Sequence, residues 1–414
     1  MGRLKRNWKR IGLTLGALLI VLLLANAILV WITGNRLEDR LTRLRAAGEP
    51  ITLTDLIPAT VPIEQNAATF LDRARSDLRS IVNEINAVRA GAGYGHGPLS
   101  ESDRKKLRSA FDAYPNIMPL LRQASTCSDY HPSLDYSGGP EALSESFLAE
   151  TKRCNWAMIV LDARTRLLIA EGRVEAALED AITALRLCRR FEREPQLIGQ
   201  LILFACRRIA IDSAFLALNG GPVSEMARDE LDAILAQSDN NDSFLFGWQS
   251  ERADRLDEVR ALLGTTWFFQ AICYDNQSYV IDTMQPMIEL IGKPYTDVKS
   301  LETKIASTKH SIWPRFPLLS VPTWLRVLES HDRSIAFVRC LRVFNALQRH
   351  GGEPALTALG LPPSALVDPY TGDSLHVKKT ANGWVVYSVG SNLIDDGGSI
   401  GDDFKDIGIG PSGQ

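Results

Sequence analysis

The sharpest change in polarity along the chain lies at its N-terminus, where a basic stretch is followed by an uncharged apolar run. Residues 1–10 hold five basic side chains and no acidic one, and residues 11–32 hold no charged side chain. A run of this length crosses the hydrocarbon core of a bilayer as a helix, and a dense basic flank favours the cytoplasmic side. The pattern predicts a cytoplasmic segment over residues 1–10, a single anchor through the lipid bilayer over residues 11–33, and a body outside the cytoplasm, held at the inner membrane of the cell.

A cleaved signal peptide is the alternative interpretation of the same run. Ala25-Asn26-Ala27 has the small-x-small form that a signal peptidase reads. The apolar run continues past it through Ile28 to Ile32, which favours a retained anchor. The core helix of a soluble protein fits less well, because a buried helix rarely stays apolar on every face for about six turns.

Beyond the anchor, apolar residues recur at helical spacing over most of the chain. Two stripes lie on either side of a turn at Gly172-Arg173, and Pro195 and Ser224 stand where a third and a fourth helix begin. The stripes contain Trp156, Val160, Ala163, Leu167 and Ala170 in the first helix, and Val174, Ala177, Ala181, Ala184 and Cys188 in the second. Short turns between such helices make antiparallel hairpins. We therefore expect a helical-hairpin body over residues 34–330.

Two stretches of this body lack the helical pattern. The glycine-rich residues 91–97 predict a flexible connector between helices. The apolar residues 313–324 are broken by three prolines, and we interpret them as an extended strap buried across the helices.

The second helix of the hairpin resembles part of a known repeat. The segment Gly172-Arg-Val-Glu-Ala-Ala-Leu-Glu-Asp-Ala-Ile-Thr-Ala-Leu-Arg-Leu187 is similar to the second half of a tetratricopeptide repeat, with Ala177 and Ala184 where that repeat packs its helices closely. The resemblance implies a concave surface for peptide or protein partners. A plain helical bundle is the alternative, because one repeat is recognisable and stable arrays need about three.

After a last helix over residues 335–350, the hydrophobic period becomes that of a strand. Residues 376–379 and 383–389 are short β-type runs, and Asn382-Gly383 between them is a strong hairpin signal. The expected C-terminal organisation is a small α+β domain over residues 331–408, with one helix packed on an antiparallel sheet, and a tail over residues 409–414.

The order of motifs in this C-terminal part resembles the major pseudopilin of type II secretion. In that family a helix is followed by a proline turn, a short leucine-rich helix, an Asp-Pro-aromatic-x-Gly turn, a hairpin that ends in Ser-x-Gly, and an acidic glycine loop. The matching segments are Gly352-Glu-Pro354, the leucines Leu356, Leu359 and Leu361, Asp368-Pro-Tyr-Thr-Gly372, Tyr387-Ser-Val-Gly390 and Asp395-Asp-Gly-Gly398. The resemblance covers about residues 335–408, which is under a fifth of the chain.

The pseudopilin resemblance implies that the last loop binds calcium, a cation that prefers carboxylate and carbonyl oxygens. The candidate ligands are Asn392, Asp395, Asp396, Asp402 and Asp403. Leu393 stands where the family usually has a glycine. The alternative is an acidic loop that is exposed to water and binds no metal ion.

A second resemblance concerns the whole layout of the chain. The C-terminal motifs, together with Asn66-Ala67-Ala68 after a proline-rich stretch, resemble large uncharacterised bacterial proteins that have a membrane anchor and a helical middle. That family offers no activity to carry over.

Composition and motifs exclude several classes of function. The 414 residues carry 46 basic and 49 acidic side chains, a net charge of −3, so no positive excess draws the body to nucleic acid. No Walker loop or paired-histidine metal motif occurs. Ser102 and Lys105 fit an S-x-x-K pattern, but Ser102 lies at a polar helix start, which indicates an N-cap. Cys154, Cys188 and Cys206 follow apolar helical faces, which indicates core positions.

One cluster of charge is a candidate partner surface. Four arginines fall on one helical face and could hold an acidic ligand: Arg186, Arg189, Arg190 and Arg193. Glu192 and Glu194 lie among them, so a solvated face is the alternative.

The hypothesis that the sequence favours is a non-catalytic, single-pass envelope protein that binds other envelope proteins and needs no cofactor other than the calcium considered above. The first alternative is a pseudopilin-related secretion component, which predicts cleavage after Gly12 and calcium-dependent folding of the tail. The second is a hydrolase that acts on cell-wall material outside the cytoplasm. A hydrolase needs a polar cleft that gathers acids or histidines from distant positions, so a smooth surface argues against it.

Overall fold

The computed structural model describes residues 2–90, 99–193, 195–264, 266–306, 321–350, 352–400 and 405–411. Within these ranges the chain is mainly helical, with one long apolar helix at the N-terminus and a small antiparallel sheet near the C-terminus. The expected fold class is confirmed at this level. The predicted connector at residues 91–97 lies outside the described residues.

The N-terminal helix α1 (Gly2–Ala46) joins the apolar run to the body without a break. Its part from Ile11 onward holds an exposed stretch of mean hydropathy 2.7, long and apolar enough for a membrane anchor or a signal sequence. Further along, Leu37, Leu41 and Leu44 are buried against the body. The helix therefore changes from apolar on all sides to apolar on one side, as expected where a chain passes from lipid to a protein surface.

Helix α1 packs on α11 (Gln270–Ile288) and on the turn that precedes it. Contacts join the two at three successive levels: Asn26 with Trp267, Gly34 with Tyr274, and Arg40 with Asp282. Because residue numbers rise together along both partners, the two helices run in the same direction. The glycine allows the closest approach, since a Cβ at Gly34 would lie 3.2 Å from the Tyr274 ring.

Four short helices follow α1 in the sequence. They are α2 (Ala67–Arg73), α3 (Arg75–Arg89), α4 (Glu101–Ala113) and α5 (Ile117–Thr126). The N-cap of α4 is Ser100, whose Oγ accepts a hydrogen bond of 3.1 Å from the Asp103 amide. The prediction that Ser102 caps this helix was therefore wrong by two residues. With Ser100 as the cap, Glu101 and Asp103 lie in the first turn, where they interact favourably with the positive end of the helix dipole.

The centre of the body consists of α6 (Pro140–Ala170), α7 (Val174–Arg190), α8 (Leu197–Gly220) and α9 (Glu225–Ser238). Gly172 turns the chain between α6 and α7 with a φ of +74°, a conformation that glycine adopts without steric cost. Ser224 caps α9 by accepting a hydrogen bond of 3.2 Å from the Ala227 amide, as predicted. Helices α6, α7 and α8 pack on one another, so the predicted hairpins are present.

The remaining helices are α10 (Asp242–Leu263), α12 (Tyr295–Ala306) and α13 (Val321–Arg349). The predicted domain boundary between residues 330 and 331 falls inside α13, which packs on α8, on α9 and on the sheet. Buried apolar residues from Leu37 to Ile409 form one continuous cluster. The helical body and the C-terminal sheet thus share one core.

The predicted strap over residues 313–324 lies outside the described residues as far as residue 320. Its last four residues form the first turn of α13, where Trp324 is buried.

The sheet has the order β1 (His376–Thr380), β2 (Gly383–Ser388), β3 (Ile407–Ile409), and both pairs are antiparallel. The predicted hairpin is present, but its two-residue turn is Ala381-Asn382, one residue before the Asn382-Gly383 signal, because Thr380 pairs with Gly383 in β2. Strand β3 was not predicted from the sequence. A strand of three residues is too short to show the alternation of apolar and polar side chains that identifies a strand. Its central residue, Gly408, is required by packing, since a Cβ there would lie 2.4 Å from the Val386 carbonyl oxygen.

All six cysteines are buried with free thiols, including the three that the sequence places in the core. Burial raises the pKa of the Cys188 thiol well above its ordinary value. A thiol that stays protonated in an apolar setting is a packing group of low reactivity.

Candidate functional site

Four segments that are far apart in the sequence enclose a cleft of about 660 Å³ in the helical body. They are residues 55–58, the extended chain 128–136 between α5 and α6, the C-terminal end of α7 with the turn after it, and residues 240–246 at the start of α10. We name it the Arg190 cleft, after the arginine at the end of α7. Its volume lies in the range of small-molecule and peptide sites.

Asn66 positions one wall of the Arg190 cleft. Its Oδ1 accepts hydrogen bonds from the Ala68 amide at 3.1 Å, which caps α2, and from the His131 amide at 2.9 Å. Its Nδ2 donates to the His131 carbonyl oxygen at 2.9 Å. The adjacent Ala67 amide donates to the Asp129 carbonyl oxygen at 2.9 Å. The Asn-Ala-Ala segment therefore holds Asp129 and His131 in place, and its two alanines are small because they pack in the core.

Glu192 holds Arg189 at the cleft and links it to the core. The buried carboxylate of Glu192 pairs with Arg189 on one side and with Arg207 on the other, where Nη2 lies 2.9 Å from Oε1. Arg207 in turn donates to Ser334 of α13 at 3.1 Å. Burial raises the pKa of Glu192, although both arginines oppose the shift. With two cationic partners, this carboxylate acts as a positioning group for Arg189.

Arg190 is the less compensated cation of the cleft. Its Nη1 donates to the Ser128 carbonyl oxygen at 2.9 Å, and its buried Nε has no hydrogen-bond partner in the described part of the chain. Burial lowers the pKa of Arg190 and the neighbouring Arg189 lowers it further, while the negative charges of Asp129 and Glu192 oppose the shift. A partly buried guanidinium with one carbonyl partner gains stability from an anion placed beside it.

The facing walls of the cleft combine acids with apolar side chains. Asp55 accepts hydrogen bonds from the amides of Ile51 at 3.0 Å and Thr52 at 2.9 Å. Burial raises the pKa of Asp55, but these two hydrogen bonds outweigh it and lower the pKa overall. Asp129 and Asp242 also face the cleft, together with apolar groups that include Leu56, Leu134 and Phe246. The surface suits a ligand that carries both charged and apolar groups.

The structure separates the four arginines of the predicted partner surface. Arg189 and Arg190 line the Arg190 cleft. Arg186 lies one helical turn before them on α7, pairs with Glu230 of α9 and does not line the cleft. The side chain of Arg193 lies outside the described residues. Sequence reasoning missed Asp55, Asp129, His131 and Asp242, which come from segments without a motif, and the one available signal was the Asn-Ala-Ala segment.

The candidate calcium loop is held together by its own hydrogen bonds. Asp395 accepts from the Tyr387 hydroxyl at 3.0 Å and from the Gly397 amide at 2.8 Å, and Asn392 donates to Asp396 at 2.8 Å. Asp402 and Asp403 lie outside the described residues. Among the residues that the structure does describe, no three histidine, cysteine, aspartate or glutamate side chains converge as a metal site.

The structure shows what Asp368 and Leu393 of the predicted C-terminal motifs do. The buried Asp368 accepts hydrogen bonds from the Ser388 hydroxyl at 2.8 Å and the Val389 amide at 3.0 Å, so the Asp-Pro turn and the Ser-x-Gly end of the hairpin are tied together. Leu393 has a φ of +61°, and no other non-glycine residue in the described part has a positive φ. It thus adopts the left-handed conformation that a glycine would adopt at this position.

Comparisons of the chain with protein-family models, with curated proteins and with solved structures find no match. The geometry of the cleft and of the N-terminal helix is therefore the basis for assigning a function.

Proposed function

We propose that this protein is a non-catalytic, single-pass envelope protein whose body binds an extended, carboxylate-bearing segment of another envelope protein in the Arg190 cleft. The observation that carries the proposal is the cleft itself, in which Arg190, whose Nε has no hydrogen-bond partner in the described part of the chain, lies between acidic and apolar walls. A carboxylate of the partner would pair with Arg190, and the apolar groups would bury its neighbouring side chains.

The fixed partners of the cleft acids favour binding over catalysis. Glu192 is paired with two arginines, and Asp55 is committed to backbone amides. A general acid or base must exchange a proton with the substrate during each turnover, and the oxygens of these two carboxylates already bind fixed protein partners. We infer that Glu192 and Asp55 hold the walls of the cleft in position.

The test places a photo-crosslinking amino acid at Phe246 of the full-length protein in its own membrane. We expect a discrete crosslinked partner whose yield falls strongly in the Arg190→Gln variant. The matched control is Arg186→Gln on the same helix, which removes an arginine outside the cleft and should leave the yield unchanged. Equal yields in both variants would show that Arg190 holds no ligand.

A hydrolase that acts on cell-wall material is the second candidate, because the segment that holds Asp129 and His131 meets the distant Asp242 in one cleft. Full-length protein in detergent would be incubated with purified peptidoglycan. Release of soluble fragments that is lost in both Asp129→Asn and Asp242→Asn, at unchanged melting temperature, would favour this candidate over the binding protein.

The membrane anchor and the pseudopilin-related alternative are tested by the mass of the mature chain. An intact or Met-trimmed N-terminus supports the anchor, as does the unbroken helix through Ala25-Asn26-Ala27. A chain that begins at Ile28 would indicate a cleaved signal peptide. A chain that begins at Leu13, together with a melting temperature raised by calcium, would favour a secretion component with a calcium-binding loop.

A further inference from the structure

The turn between α10 and α11 exposes three consecutive aromatic side chains. Trp267, Phe268 and Phe269 are 42%, 65% and 51% exposed, and Leu262 at the end of α10 is 57% exposed. We name the three aromatic residues the aromatic tip. Scattered apolar side chains are ordinary on a protein surface, but a contiguous exposed group indicates an interaction site.

The contact with α1 sets the depth of the aromatic tip relative to the membrane. The Trp267 carbonyl oxygen lies 3.5 Å from Asn26 Nδ2, inside the apolar run of the N-terminal helix. With a rise of about 1.5 Å per residue, Trp31 lies about 7 Å further along the helix than Asn26. A hydrocarbon core of about 30 Å that begins at Ile11 ends near Trp31. The tip therefore lies beside the part of α1 that belongs inside the bilayer.

The packing of the body keeps the tip at this height. Helix α11 begins directly after the tip and runs parallel to α1, and Arg40 pairs with Asp282 nearly four helical turns further from the membrane than the tip. The buried Leu37, Leu41 and Leu44 hold the same stretch of α1 against the body. A body that is fixed to the anchor in this way cannot lift the tip away from the lipid without breaking these contacts.

We infer that the aromatic tip inserts into the bilayer leaflet on the side of the body, at the boundary between headgroups and acyl chains. The inference rests on the proposed membrane anchor and adds a second point of lipid contact. Its occupant is lipid because the tip continues the exposed apolar face of α1. Tryptophan and phenylalanine also suit this depth of a bilayer, where interfacial segments bury their apolar groups by about 5–10 Å.

The test uses full-length protein in nanodiscs of phosphatidylethanolamine and phosphatidylglycerol, with a nitroxide spin label at a single introduced cysteine. The six native cysteines are buried and do not label in the folded protein. The test position is Phe268→Cys, with Phe269→Cys as a second site in case the first variant is poorly folded. Met226→Cys, at an exposed position at the start of α9, is the aqueous control, and Leu19→Cys in the apolar part of α1 is the bilayer control.

We expect the label at position 268 to collide with oxygen and to be shielded from an aqueous nickel complex, in a pattern close to that at position 19. Collision with the nickel complex as frequent as at position 226, with position 19 still shielded, would overturn the insertion and leave the anchor in place. An aqueous signal at position 19 would instead overturn the anchor, and the insertion with it. Strong spin–spin broadening between labels at position 268 would assign the tip to a second copy of the chain and overturn lipid as its occupant.

Discussion

Arg40 of α1 and Asp282 of α11 form a two-point ion pair, with Nε–Oδ1 and Nη2–Oδ2 distances that are both 2.7 Å. The hydrogen bonds from Arg40 to Asp282 raise the pKa of Arg40 despite its partial burial. The pair lies just beyond the apolar run, where α1 meets the body. It connects the candidate anchor directly to the helix that begins at the aromatic tip.

We predict that Arg40 and Asp282 are energetically coupled. Both side chains are partly exposed, so screening by water limits the coupling to about 0.5–1 kcal/mol. A double-mutant cycle with Arg40→Gln and Asp282→Asn should give this value in chemical unfolding of the full-length protein. The coupling should shrink at high salt, because partly exposed ion pairs are screened. Additive single variants would contradict the prediction.

We predict that Asn66→Ala weakens both the fold and the cleft. The variant loses the cap of α2, which costs about 1 kcal/mol, and two hydrogen bonds to the His131 backbone, which cost about 1 kcal/mol each. Chemical unfolding measures the loss, and the crosslinking yield from position 246 should fall with it.

Asn66→Ser is the matched control for this prediction. Serine keeps a capping acceptor for the Ala68 amide, and its shorter side chain gives up the two hydrogen bonds to the His131 backbone. Its loss of unfolding free energy should be smaller than that of Asn66→Ala by about the contribution of the cap. An equal loss in the two variants would mean that the cap contributes nothing.

We predict that the stability of the protein depends on pH through Asp254. The side chain is buried in α10, and burial, with the negative charge of Glu251 nearby, raises its pKa from 3.8 to about 7. Between these two values the folded state keeps a proton that the unfolded state has released. The free energy of unfolding therefore falls as the pH rises from about 4 to about 7, by at most about 1.4 kcal/mol per pH unit.

Asp254→Asn should remove this dependence, since asparagine resembles the protonated acid. We expect the variant to be more stable than the natural protein above pH 7 and equally stable near pH 4, as measured by denaturant unfolding across that range. Asp112→Asn, the same replacement at an exposed position, provides the control. A profile that Asp254→Asn does not flatten would show that Asp254 is ionised in the folded state at neutral pH.

Two glycines of the C-terminal loop should respond differently to alanine. Gly390 has a φ of +70°, and a Cβ there would lie 2.3 Å from the Lys405 carbonyl oxygen. Gly397 has a φ of +76° and open space around it. Gly397→Ala should therefore cost only the left-handed conformation, about 1 kcal/mol, whereas Gly390→Ala should cost several kcal/mol because backbone must also move. Thermal unfolding and limited proteolysis of the loop measure the difference, and similar losses would contradict the close approach of the Lys405 backbone to Gly390.

Local patterns in the amino-acid sequence predicted several secondary-structure elements of this protein. The apolar run predicts the long N-terminal helix, the three-and-four spacing predicts the hairpin of α6 and α7, and Asn382-Gly383 predicts the turn between β1 and β2. Each of these signals depends on the side chains within one helix or one turn. The cap of α4 and the strand β3 were missed, because a polar helix start and a three-residue strand carry weak local signals.

Only the tertiary structure decided which residues form the Arg190 cleft and where the aromatic tip lies. Arg189 and Arg190 belong to the predicted arginine cluster, but Arg186, one helical turn earlier, contacts α9 and pairs with Glu230. Asp55 and His131 reach the same cleft because Asn66 and the surrounding core hold distant loops together. Such convergence depends on packing between segments that are far apart in the sequence. The spacing of apolar residues predicts which face of a helix is buried, but it does not predict which other element packs on that face.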